Sequence, residues 1–119
     1  MLAAAKMLTA LVLFIHVYIV LLETVLFRTR GAKVFGLSAD QVQTMAPAMS
    51  NQGCYNGFLA AALALGLFHP VPSIAKAFML FGLICVAIAG IWGAATVKTR
   101  ILFVQTVPAG LALIAVYLS

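Results

Sequence analysis

His16 and Glu23 stand seven residues apart inside the first long apolar run of the chain. At about 100° per residue, seven positions return a helix to nearly the same face. Thr9 and Arg30 continue the same spacing, so one face reads Thr9, His16, Glu23, Arg30. A rise of about 1.5 Å per residue puts roughly 10 Å between the imidazole and the carboxylate. That is too far for contact and suited to a vertical polar track. An ionisable group in an apolar span is costly, roughly 2.5–3.5 kcal/mol at a helix centre, so each one asks for a reason. Proton or cation handling is one. The plainer reading has Glu23 at headgroup level pairing with Arg28 or Arg30, while His16 bonds a neighbouring helix.

A second cluster is Asn51-Gln52-Gly53-Cys54-Tyr55-Asn56-Gly57-Phe58. Asn51 and Tyr55 are four apart, as are Gln52 and Asn56, so amides and a phenol gather on one side of an opening helix. Ser50 or Asn51 capping that helix explains one residue and leaves Gln52 and Asn56 unexplained. Trp92, Thr96, Gln105 and Thr106 are more scattered. Trp92 suits an interfacial belt. Threonine hydroxyls can bond back to their own helix, but the Gln105 amide cannot be satisfied that way alone. Glu23, His16, Asn51, Gln52, Tyr55, Asn56, Trp92 and Gln105 are therefore the candidate ligand-binding residues.

The elements that must position these groups follow from composition. The 119 residues allow one domain; 66% are apolar and 8% charged. A water-facing domain carries about 25% charged residues, so lipid is the expected main solvent. An all-α membrane bundle of four spans is predicted, at about 4–27, 53–68, 74–97 and 101–118. Ser38 and Gln41 have capping-box spacing, and Val42, Met45 and Met49 form an apolar stripe, which predicts a short amphipathic surface helix over about 38–46 that Pro47 ends or bends. The other connectors are brief, at 69–73 and 98–100, so the spans should alternate in direction.

Lys6 followed by an apolar run resembles a signal peptide, but the run is long, carries Glu23 and has no small-x-small site before Arg28. It reads as a retained span. The first and third connectors hold Arg28, Arg30, Lys33, Lys98 and Arg100, against Lys6 and Lys76 on the opposite side. The positive-inside rule then places both termini outside the cytoplasm, in a bacterial inner membrane. The net charge of +5 lies at span ends rather than in a basic stripe, which argues against nucleic acid. Cys54 and Cys85 should lie at different depths as free thiols. No metal-ligand set or cofactor motif occurs, and His16 and His69 should lie in different leaflets, so neither metal nor cofactor is expected. Ala89/Gly93 and Gly90/Ala94 are small-xxx-small pairs, which serve internal packing or a homo-oligomer seam equally.

The pair His16 and Glu23, Phe35-Gly36-Leu37, and the string Asn51-Gln52-Gly53-x-Tyr55-Asn56-Gly57-Phe58-Leu59-Ala60 resemble small bacterial membrane proteins catalogued as domain of unknown function 1304. The resemblance covers essentially the whole chain, and the Asn-Gln-Gly string is its most specific part. It implies the helix order and motif placement, and no activity. Three functions stay open. One is a small-solute or ion transporter with Glu23 as the binding carboxylate and His16 as a deeper relay. Another is a membrane enzyme or binding protein for a lipid or quinone-like ligand. The last is a structural accessory subunit. A polar ligand or solute site built around Glu23 and Asn56 and opening toward the cytoplasmic leaflet is the expectation carried forward.

Overall fold

A computed structural model describes residues 2–119 as an all-α chain with five helices. Helix α1, Leu2–Glu23, is a run of alanine and long aliphatic residues with no glycine or proline, so nothing interrupts its ladder. It stops four residues before the expected Phe27. Thr24 Oγ1 bonds Val20 O at 2.6 Å and Leu26 N–H reaches Leu21 O, after which Phe27–Gly31 forms a π-helical turn. Gly31 makes that reversal feasible, because a Cβ there would overlap Leu22 O of α1. The short helix α2, Ala32–Phe35, ends at Gly36 in the left-handed region, φ +67°, where Leu37 N–H satisfies Ala32 O.

Helix α3, Ala39–Phe68, corrects the expectation of a separate surface helix. The Ser38–Gln41 capping box forms, with Ser38 N–H on Gln41 Oε1 at 2.8 Å and Gln41 N–H on Ser38 Oγ at 3.3 Å. The element it starts then runs unbroken through Pro47 for 30 residues. Proline removes one donor and crowds one carbonyl. Here Pro47 is exposed, and neighbouring turns on either side carry the ladder across it.

Helix α4, Pro72–Thr96, begins with Pro72 in the first turn, where no N–H is needed. The final segment opens as a π-helical turn, Leu102–Thr106, and continues as helix α5, Val107–Leu118. Pro108 lies at that junction and cannot donate to the preceding turn, which suits a locally widened ladder. Glycines let the last two elements approach. A Cβ at Gly90 would lie 2.7 Å from Thr106 N, and one at Gly93 would lie 2.9 Å from Ile101 Cγ2. Gly90 and Gly93 are thus spent on packing within the chain.

Helix α1 packs on α3 and α5, and α4 packs on α3 and α5. The core between them is Val12, Leu63, Leu83 and Val86 with the small residues Ala5, Ala109, Ala112 and Ala115. Lys6, His69, Lys76 and Ser119 meet around one cavity, so the start of α1, the α3–α4 turn and the end of α5 share an end of the molecule. At the other end Arg100 Nη2 donates to Val34 O at 3.2 Å, tying the first and third connectors together.

Two helices, α1 and α4, are long and apolar enough to cross a membrane, and only 28% of the most apolar window of each is buried within the protein. The expectation of four spans is met only to that extent. The apolar stretch Leu102–Leu118 is shorter, and α3 carries Asn51, Gln52 and Asn56 near its middle.

Candidate functional site

Glu23 is the last residue of α1, and it turns inward rather than toward the arginines that follow it. Asn56 Nδ2 donates to Glu23 Oε1 at 2.6 Å, and both residues are buried. Gly53 makes this contact possible. It sits one turn before Asn56 on the same face of α3, and a Cβ there would come within 2.5 Å of Thr24 Cγ2 and 3.3 Å of Glu23 Cβ. The Asn-Gln-Gly-x-x-Asn spacing therefore encodes a close helix approach followed by an amide aimed at the carboxylate.

Beside the pair lies a cleft of about 440 Å³ lined by Glu23, Thr24, Arg28, Pro47 and Ser50 among others. The second carboxylate oxygen has no hydrogen-bond partner among the described residues, and Glu23 lines that cleft. A carboxylate with one oxygen held and one free accepts hydrogen bonds or positive charge and donates nothing when ionised. Arg28 faces the same space from the rim, so the cleft presents both signs of charge.

Deeper along α1, His16 is fully buried and its Nδ1 lies 2.9 Å from Val12 O. A carbonyl only accepts, so Nδ1 carries a hydrogen and Nε2 holds the lone pair in the neutral ring. That Nε2 has no partner, and neither does Thr9 Oγ1 one further step along the same face. Thr9, His16 and Glu23 thus share the interior face of α1, as the seven-residue spacing requires. Arg30 leaves the line, because the π-helical turn carries it back over Tyr18, where its Nε bonds the phenol oxygen and its guanidinium stacks on the ring at 5.8 Å.

The remaining candidates are dispersed. Asn51, Gln52 and Tyr55 lie on the exposed side of α3, with Tyr55 stacked edge-on against Phe58. Trp92 is 73% exposed on α4, and Thr96 bonds Trp92 O within its own helix. Gln105 is half-buried in the second π-helical turn, apart from the Glu23–Asn56 pair. Of the expected set the structure brings together Glu23 and Asn56, with His16 on the same interior face. Arg28, which the sequence offers as a partner for Glu23, borders the cleft without an ion pair to that carboxylate. Pro47 and Ser50, which the sequence offers only as a helix end and a cap, reach the cleft because α3 is continuous across them, and Thr24 joins it from the end of α1. Cys54 and Cys85 are both free, and no group of metal-ligating side chains occurs among the described residues.

A family model described as a protein of unknown function (DUF1304) matches residues 10–117. No curated protein and no solved structure matches the chain.

Proposed function

The chain belongs to the DUF1304 family, and from that premise, which brings no activity with it, we propose that it is a small membrane protein that binds a small solute or ion at the Glu23–Asn56 pair and moves it across the bilayer. The observation that carries this reading is the buried 2.6 Å hydrogen bond that holds one carboxylate oxygen of Glu23 beside a cleft that the same residue lines. A carboxylate kept only to lock two helices would gain most by bonding with both oxygens.

The membrane part of the proposal rests on what the surface presents. Phe14, Phe81, Trp92, Phe103 and Tyr117 all point outward, along with Leu11, Val17 and Leu21 of α1 and Ile84, Ile88 and Ile91 of α4. The molecule is 47 Å long, close to the roughly 40–45 Å thickness of a bilayer with its headgroups. In this reading α3 and the segment 102–118 complete a bundle of four spans, with Asn56 facing protein rather than lipid and the exposed Asn51 and Gln52 at headgroup level.

The ligand is a proton, a monovalent cation or a small amine, since the free acceptor is a carboxylate oxygen. The sealed Nε2 of His16 and Oγ1 of Thr9 extend a polar line away from the cleft and serve as relay groups toward the opposite end. Proteoliposomes holding the full chain should show a flux of one of these species that Glu23→Gln abolishes. Gln retains an acceptor for Asn56 Nδ2, so the fold survives the change. If no Glu23-dependent movement of protons, monovalent cations or small amines is found, the transport reading fails.

A further inference from the structure

The end of the molecule opposite Glu23 carries a second cavity, of about 640 Å³, where α1 begins, α3 turns into α4 and α5 ends. Its volume falls within the roughly 300–1,000 Å³ of small-ligand sites. Its walls are apolar, with Leu67, Met79 and Val116 among them, and its rim holds Lys6, His69 and Lys76. No acidic residue lines it. The chain's two acidic side chains, Glu23 and Asp40, lie elsewhere, one bonded by Asn56 and the other in the first turn of α3, while Ser119 borders the cavity.

Two further details add to the positive character of this rim. Val71 N–H donates to His69 Nδ1 at 3.1 Å. The nitrogen that accepts cannot carry the hydrogen of a neutral ring, so Nε2–H remains a donor. The adjoining N-terminus of α4 has no capping side chain and no acidic residue in its first turn, which leaves the positive end of a 25-residue helix uncompensated. Two ammonium groups, an imidazole N–H and a helix N-terminus thus surround the mouth of an apolar hollow.

We propose that this cavity binds an anionic phospholipid, the phosphate held by Lys6, Lys76 and His69 and the start of an acyl chain lying against Leu67, Met79 and Val116. Free phosphate would satisfy the rim and leave the apolar wall unused. A zwitterionic lipid would bring its own cation against the two lysines. The inference rests on the membrane part of the proposed function and is independent of Glu23.

The test is native mass spectrometry of the full chain, released from detergent with equimolar phosphatidylglycerol and phosphatidylcholine of identical acyl chains. Each lysine near an anionic headgroup is worth roughly fivefold, so wild type should retain phosphatidylglycerol over phosphatidylcholine by about tenfold or more. The double variant Lys6→Gln/Lys76→Gln should bring the two lipids to parity, while Lys98→Gln/Arg100→Gln at the other end should keep the preference. Circular dichroism checks that both variants retain wild-type helix content. Equal retention of the two lipids by wild type would overturn the proposal. So would a preference that survives loss of Lys6 and Lys76, or one that falls equally in the control variant. Displacement of the lipid by millimolar inorganic phosphate would assign the rim to a free anion and overturn the lipid as occupant. Failure of the membrane reading would appear separately, as a chain recovered in the soluble fraction without detergent.

Discussion

At the scale of single residues, the site depends on what faces Glu23. Removing the amide with Asn56→Ala leaves a buried carboxylate oxygen without its donor, and an unsatisfied buried group of this kind costs about 1–3 kcal/mol, more when charged. Thermal unfolding in detergent should therefore show a lower Tm for Asn56→Ala than for Glu23→Gln, which keeps an acceptor for Asn56 Nδ2. Gly53→Ala acts on the same contact through sterics. Its Cβ meets Thr24 Cγ2 and Glu23 Cβ, and overpacking of that sort typically costs about 1–3 kcal/mol. The variant should lose stability and any Glu23-dependent ligand binding together, because α3 must move away from α1 before the new methyl fits. His16 and Glu23 could be placed on one face from spacing alone, since their face depends only on helical period. The candidate site could likewise be centred on Glu23 and Asn56, but the hydrogen bond between them could not be placed. Choosing Asn56 over Asn51 or Gln52 depends on the rotation of α3 about its axis, which Gly53 sets by close approach. Arg30 was placed on the polar line by the same period, and it leaves that line because α1 ends at Glu23 and the chain reverses through a π-helical turn.

At the scale of elements, the most informative departure is α3. The capping box at Ser38 and Gln41 was legible, because two side chains at fixed spacing satisfy each other's backbone donors. The continuation through Pro47 was not, because proline's local penalty says nothing about the packing that offsets it. Val42, Gly53, Asn56 and Leu63 are all buried, so one face of α3 is held along most of its length. Ser38→Ala should cost about 0.5–2 kcal/mol. Hydrogen exchange should show the loss confined to the first turns of α3, leaving the protection of Leu63 and its neighbours unchanged. At the other end of the fold, Gly90→Ala drives a Cβ onto Thr106, against its side-chain Oγ1 first and its backbone nitrogen next. It should disrupt the hydrogen bond from Thr106 Oγ1 to Ala87 O, 2.9 Å in the native fold, and reduce the yield of folded protein. The same pair of glycines read equally well as an oligomer seam in the sequence. Which neighbour a small residue serves is a tertiary fact that spacing does not contain.

At the scale of the whole molecule, composition carried the clearest message. With 8% charged residues the chain has too few groups to cover itself in water, and the large exposed apolar side chains bear the same meaning in the folded state. The internal seams instead use alanine, at Ala109, Ala112 and Ala115, and glycine. That choice suits packing in lipid, where burying apolar surface gains nothing relative to the tails and close backbone approach supplies the attraction. The full chain expressed in cells should remain in the membrane fraction after alkaline carbonate washing; recovery in the supernatant would contradict the membrane assignment. Charge separates the two ends into a cleft holding the buried carboxylate and a cavity rimmed by lysine and histidine. Whether the first of these holds a ligand is open to direct measurement by native mass spectrometry of gently extracted wild type, Glu23→Gln and Asn56→Ala. A bound small molecule or cation present in wild type and absent from both variants, with the oligomeric state unchanged, is the expected result. No bound species in wild type, with the variants differing only in stability, would contradict a ligand site and leave Glu23 and Asn56 as a lock between two helices.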